Sequence, residues 1–168
     1  MRPSRAGWIV ATGLLALLAL GPTTALASKG STVVQVPGAA GWVPTGIVVS
    51  GGQELPVRTT GFVMTAFPPQ FFMPGGLISG SGPAGQPWWG YTCGSATRPP
   101  GSDLGPCAYD DAWFGTLIGR VGETSFVVGD TSLLVIPDGL SGELWLTVND
   151  YANTYGDNSG QFTVIFYR

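Results

Sequence analysis

The stretch "ELWLTVNDYANTYGDNSGQFTVIFY", Glu143–Tyr167, decides the fold. Its two ends alternate. Leu144, Leu146 and Val148 fall on one face of the first run, and Phe162, Val164 and Phe166 do the same in the last. A period of two is that of a strand with one buried side. The intervening partners, Glu143 and Thr147 in one run and Gln161 and Thr163 in the other, are polar, as on a sheet face turned to water. Between the runs lies a connection crowded with oxygen: two carboxylates, three Asn amides and a Thr from Asn149 to Gly160.

The same pattern recurs from Ser31 onward. Short β-rich runs alternate with Gly, Pro and Asn punctuation, and no segment sustains a 3.6-residue period. The further candidate strands are "STVVQV", "GIVVS", "LPVRTT", "FVMTAF", "TLIGRV", "TSFVVG" and "SLLVI". Eight or nine strands in a chain of this size predict an all-β protein, a jelly-roll-like antiparallel β-sandwich. One segment breaks the rhythm. From Phe67 to Ala112 the chain is mostly Pro, Gly, Ser and aromatic residues, as in "FPPQFFMPGG" and "GQPWWGYTCG". A connection this long inside one domain is expected to be functional or partly ordered.

The first residues stand apart. Arg2 and Arg5 precede the apolar run "WIVATGLLALLAL" and the small-residue site Ala25-Leu26-Ala27, the pattern of a secretory signal. The expectation is a signal peptide over residues 1–27 and one sandwich domain over 28–168, 168 − 27 = 141 residues long, secreted to the extracellular side. No later segment approaches the ~18 apolar residues that a membrane span requires. The signal carries two of the seven basic residues and none of the ten acidic ones, so the remainder has a net charge of 5 − 10 = −5. That balance argues against nucleic acid and anionic membrane as partners, because each needs a clustered positive patch.

Only two cysteines are present, Cys93 and Cys107. In an oxidising compartment such a pair reads as a disulfide. It would close a loop of about fifteen residues and contribute roughly 3 kcal/mol on the chain-entropy model. A metal or redox pair lacks support, since the chain has no His and no CxxC.

In the oxygen-rich loop Asp150, Asp157 and Asn158 can aim side-chain oxygens at one centre, and the turn between them offers carbonyls such as that of Thr154. Hard oxygen donors without imidazole or thiolate select Ca²⁺ over zinc or copper. The spacing is not that of an EF-hand. Asn, Asp, Gly and Ser also build turns through Asx hydrogen bonds, so the composition is equally that of a loop without a metal.

The ordered string "NDYANTYGDNSGQFTVIF" resembles the C-terminal signature of the PA-IL-like family, calcium-dependent galactose-binding lectins with a small galactose-binding-domain-like jelly-roll subunit. The family pattern reads roughly ND, a few residues, TYGNNSG, then an alternating strand, with Asp157 here in place of the first Asn. "VPGAAGWVPTGIVVSGGQELPVRTTGFV" is similar to the family's opening strands, and "FGTLIGRVG" to its central strand. The resemblance implies calcium ligands from the side chains of Asp150, Asp157 and Asn158, from the Thr154 carbonyl, and from a carbonyl at or next to Thr65, where the family has Tyr. Five donor residues leave the shell incomplete, and in the family two vicinal sugar hydroxyls complete it. A carbohydrate site is thus expected around Asp150, Tyr151, Thr154 and Asp157. The family's His and Gln contacts are missing, and Trp88 and Trp89, with Phe71, Phe72 and Tyr91, are the candidates to stack on a sugar face instead.

Two other functions compete. Calcium could merely tie the loop of a structural or adhesion module, if Asp103, Asp110 or Asp111 filled the open coordination positions. A hydrolase built on Asp110 and Asp111 is disfavoured, because adjacent strand residues point to opposite faces while glycosidase carboxylates must flank one bond. Nucleophilic triads and dyads lack their His, so no enzyme is expected. A homo-oligomer is compatible with the family, with the strand ending at Tyr167 and Arg168 as a contact edge.

Overall fold

The computed structural model describes residues 30–64, 92–95 and 103–168. The expected signal peptide, Thr65, Phe71, Phe72, Trp88, Trp89 and Tyr91 lie outside those residues. Eight strands are present: β1 (Ser31–Pro37), β2 (Val43–Ser50), β3 (Glu54–Met64), β4 (Leu117–Val121), β5 (Thr124–Val127), β6 (Leu133–Val135), β7 (Ser141–Val148) and β8 (Ser159–Tyr167). They form two four-stranded sheets, ordered β1-β8-β3-β6 and β2-β7-β4-β5, with every pairing antiparallel. This order is the jelly-roll topology expected from the strand pattern. No helix among the described residues is long and apolar enough to cross a membrane.

The core is the alternation made solid. Val36, Val63, Phe162 and Val164 from the first sheet meet Val49, Leu117, Leu144 and Leu146 from the second, all at or near zero exposure. Two faces patterned with period two turn these residues inward, and that sheet-on-sheet layer holds the domain together.

Two strands differ from the sequence reading. "LPVRTT" and "FVMTAF" are not separate strands; β3 runs unbroken through Gly61, which looks like punctuation but adopts φ +93°. A Cβ there would lie 2.3 Å from the Gln161 carbonyl oxygen. The partner strand has the mirror feature, because Gly160 has φ +79° and a Cβ on it would lie 2.4 Å from the Phe62 carbonyl oxygen. The two glycines let β3 and β8 press together just where β8 leaves the oxygen-rich loop. Strand β2 likewise begins three residues before "GIVVS". Its register shifts between Pro44 and Val48. There the buried Thr45 hydroxyl donates to the Leu144 carbonyl at 2.7 Å and accepts from Ile47 N–H at 3.1 Å, which satisfies the bulge.

Thr147 corrects the expectation of a polar outward position. It is completely buried, because Tyr155 folds back over the end of β7 and brings its hydroxyl 3.3 Å from the Thr147 hydroxyl and 3.2 Å from the Val148 carbonyl, to which it donates.

Gly160→Ala is expected to lower stability by roughly 2 kcal/mol or more, since it combines a disfavoured backbone region with a backbone collision. Equal urea midpoints for the variant and the parent chain would show that β3 and β8 can move apart there at no cost.

Candidate functional site

The loop from Asn149 to Asn158 carries the chain from β7 in one sheet to β8 in the other, at one rim of the sandwich. Its first residue sets its path. Asn149 is fully buried; its amide N–H group donates to the carbonyls of Tyr109, Ala112 and Trp113 at 2.9–3.1 Å, and its oxygen accepts from Tyr109 N–H at 2.9 Å. The side chain therefore replaces a strand partner for the 109–113 turn. Upstream of that turn, residues 103–108 run antiparallel to the loop. Ala108 N–H donates to the Asp150 carbonyl, Ala152 N–H to Pro106, and Asn153 N–H to Leu104, all within 3.2 Å.

The disulfide Cys93–Cys107 is present and fastens this ribbon to the turn Cys93–Ser95 through the buried Cys93. Part of the Phe67–Ala112 segment is thus an extra ribbon laid along the loop.

Tyr151 lies beneath the loop. Expected among the sugar-contacting residues, it has a side chain with no exposure. Its hydroxyl donates to the Cys93 carbonyl at 3.2 Å, and its ring packs edge-on against Phe114. It anchors the loop from beneath.

The oxygens gather around Asp150, which is almost wholly buried. One carboxylate oxygen accepts from the N–H of Tyr151 at 2.7 Å, and the other accepts from the Asn158 amide nitrogen at 2.8 Å. That same nitrogen donates to the Gly38 carbonyl at 3.1 Å. With both donor sites committed, the amide orientation is fixed, and its oxygen, Oδ1, is left buried with no hydrogen-bond partner. An orphaned buried acceptor is rare and costs about 1–3 kcal/mol unless something satisfies it.

Electrostatics points the same way. Burial pushes the Asp150 carboxyl above its ordinary pKa, only partly offset by hydrogen bonds from Asn158, Tyr151 and Thr154. Asp157 is also raised, by desolvation and then by the charge of Asp150. Two carboxylates that repel one another, beside an amide oxygen with no donor, make a site short of positive charge. Among the described residues no group of three or more His, Cys, Asp or Glu assembles anywhere. A cation here would therefore rely on amide and carbonyl oxygens as well as the two acids, as hard divalent cations do.

Thr154 closes the group: its hydroxyl donates to the Tyr151 carbonyl at 3.0 Å, and its own carbonyl accepts from Asp157 N–H at 3.0 Å with a second lone pair to spare. Asp150, Thr154, Asp157 and Asn158 are thus brought together by one loop. Asp103, Asp110 and Asp111 are exposed, and none of the hydrogen bonds to Asp150 or Asn158 comes from them.

Beside the loop runs a groove of about 490 Å³ whose walls include Trp42, Pro106, Cys107, Ala152 and Tyr155. The Arg120 guanidinium lies 4.3 Å from the Trp42 ring centroid and 6.0 Å from that of Trp145, which holds the indole in place. The sequence reading missed both Trp42 and the bracing role of Asn149. Trp42 carries no local signal, and in the sequence Asn149 is only one more loop oxygen.

A jelly-roll sandwich with an oxygen-lined loop at its rim is the class that this architecture defines. The family model described as PA-IL-like protein matches residues 84–167, half of the chain. The chain belongs to the PA-IL-like family. Among solved structures the fold is similar to that described as "EclA N-terminal domain; PllA-like lectin", at 20% identity, with 81% of this chain and 94% of that chain covered and a TM-score of 0.52. At that identity the likeness is one of fold.

Because both carboxyls are raised in the folded state, the pair favours folding below the unfolded carboxylate pKa, and that contribution is lost as pH rises through the folded values. In EDTA at pH 7, Asp157→Asn should therefore stabilise the protein, by only about 0.5 kcal/mol because Asp157 is exposed and screened. The gain should vanish near pH ~3, where both acids are protonated. Urea midpoints at the two pH values check this; a variant destabilised at pH 7 in EDTA would contradict the repulsion.

Proposed function

We propose that this chain is an exported carbohydrate-binding protein that holds Ca²⁺ in the 149–158 loop and takes a galactose-type saccharide through it. The observation that carries this reading is Asn158 Oδ1, buried and unpartnered beside two carboxylates that repel one another. Asp150, Asp157 and Asn158 would supply side-chain oxygens and Thr154 its carbonyl; the family resemblance adds a carbonyl at or next to Thr65. Bound Ca²⁺ would supply open coordination positions that two vicinal sugar hydroxyls can fill.

The chain's own contribution is position. The Asn158 amide is locked by Gly38 and Asp150, and the loop is braced from below by Tyr151 and from the side by the 103–108 ribbon. Such a loop loses little entropy on binding. The carboxylates of Asp150 and Asp157 can accept hydrogen bonds from the sugar hydroxyls, and charge-assisted bonds are the stronger kind. Two hydroxyls held at fixed spacing on a rigid ring make the stereochemistry of one carbon decide binding. The purely structural reading of the metal needs Asp103, Asp110 or Asp111 to fill the open positions, and their exposed placement does not support it.

Titration calorimetry with methyl galactoside tests the proposal. Heat is expected in millimolar calcium, none in EDTA, and none for Asp150→Ala. The calcium affinity of that variant should fall by more than about 100-fold, since outer-shell partners alone are worth about 10- to 100-fold. Calcium binding without heat from any monosaccharide would transfer the site to the structural reading.

A further inference from the structure

The groove beside the rim loop lies outside the oxygen cluster, yet the two share both of their walls. One wall is the connection between β1 and β2. Its first residue, Gly38, accepts the amide of Asn158 at the cluster, and its last two, Gly41 and Trp42, line the groove. The other wall is the 149–158 loop itself. Asp150, Thr154 and Asp157 belong to the cluster, whereas Ala152 and Tyr155, interleaved with them, line the groove. Gly38 and Trp42 are four residues apart, at most about 14 Å of chain. A short oligosaccharide seated at the oxygens spans that distance.

The chemistry of the groove selects what enters it. Its volume of about 490 Å³ falls among those of small-molecule sites, ~300–1,000 Å³. No charged side chain lines it among the described residues, so a charged group moving in would lose water without gaining a partner. Trp42 is half-buried and its indole is held by the Arg120 guanidinium at 4.3 Å, which leaves a rigid apolar wall that costs little entropy to use. The ribbon adds a polar edge. Cys107 pairs with Tyr151 between two bonds that run to the loop, from Ala108 N–H to Asp150 and from Ala152 N–H to Pro106. Its own N–H and C=O are therefore turned away from the loop, and among the described residues neither has a backbone partner. A flat apolar wall beside a free donor and a free acceptor suits a pyranose ring, which carries C–H patches on its face and hydroxyls around its rim.

We propose that this groove is a second saccharide subsite, with Trp42 as its platform, for the uncharged sugar residue next to the one held at the loop. The assignment rests on the saccharide reading of that loop. It gives the stapled ribbon a task beyond bracing, since the Cys93–Cys107 bond holds Pro106 and Cys107 at the groove. Covering about 60 Å² of apolar surface on the indole is worth about tenfold in affinity.

Titration calorimetry in millimolar calcium tests the subsite, with methyl galactoside set against lactose, melibiose and galabiose, disaccharides that end in galactose. At least one disaccharide should bind ~10-fold more tightly than methyl galactoside. Trp42→Ala should bring that ratio of affinities close to one, and Trp42→Phe should keep part of it. Ala152→Phe narrows the groove from an exposed position and should also abolish the ratio, so the test does not hang on how well the Trp42 variants fold. Heat from methyl galactoside in each variant shows that its loop is intact. Methyl galactoside binding with no gain from any disaccharide, or a gain that survives both Trp42→Ala and Ala152→Phe, would overturn the subsite and leave the loop's reading standing. No heat from any of the four sugars would overturn that reading and the subsite with it.

Discussion

Four hydrogen bonds to one buried amide, that of Asn149, set the shape of the rim that carries the oxygen-rich loop. Where two sheets part, each strand end leaves backbone groups without ladder partners, and a buried N–H or C=O must find another. Asn149 supplies both a donor and an acceptor at that point, so the 109–113 turn can sit against β7 without a strand of its own. Once that turn is fixed, the 103–108 ribbon can pair with residues 150–153, Cys107 comes within disulfide reach of Cys93, and Tyr151 has a carbonyl to bind beneath the loop. Removing the amide would take the acceptor from the Tyr109 N–H and one donor from each of three carbonyls that keep a single backbone partner, a cost above that of one hydrogen bond.

What the frame supports is an arrangement that works against the fold. Asp150 is buried with its charge only partly compensated, Asp157 repels it, and Asn158 keeps an acceptor without a donor. A core would not be built so. Sites held in this state are kept by surrounding structure, and here the support is visible: a disulfide, a paired ribbon, a locked amide, and two glycines that clamp β3 to the start of β8. The stability invested in the sandwich core tolerates a rim whose buried charge is unfavourable in itself.

How much of this the sequence discloses depends on whether the deciding contact is local. Strands β7 and β8 are legible because alternation is a property of neighbours, and Leu144 to Val148 and Phe162 to Phe166 bury as their pattern says. The oxygen cluster is legible for the same reason, since Asp150, Thr154, Asp157 and Asn158 belong to one short loop. Gly61 misleads, because a glycine marks a turn and a close approach of strands with the same letter. Thr147 misleads because periodicity names a face but not what covers it, and the burial of Tyr151 in the loop has no periodicity to announce it. Tyr155 lies over Thr147, and the carbonyl that Tyr151 binds is 58 positions away. Trp42 gains its place in the groove from Arg120 and Trp145, on strands of which nothing near Trp42 gives notice.

The two sheets therefore carry different burdens. The outer face of β2-β7-β4-β5 is closed at the rim by Tyr155 and by the stacking of Trp42, Arg120 and Trp145, so its aromatic surface belongs to the loop and the groove beside it. Among the described residues the outer face of β1-β8-β3-β6 has no such cover at its far end, where Val33, Tyr167 and Leu133 are exposed beside Arg58 and Glu54. Apolar side chains left on a sheet face cost solubility unless something occupies them, whereas charges set among them limit which occupant fits. Strand β8 joins the two ends: it leaves the oxygen-rich loop at Ser159 and finishes in the apolar patch at Tyr167. A single strand thus fixes the distance between the rim and the patch, and a rigid sandwich keeps that distance constant.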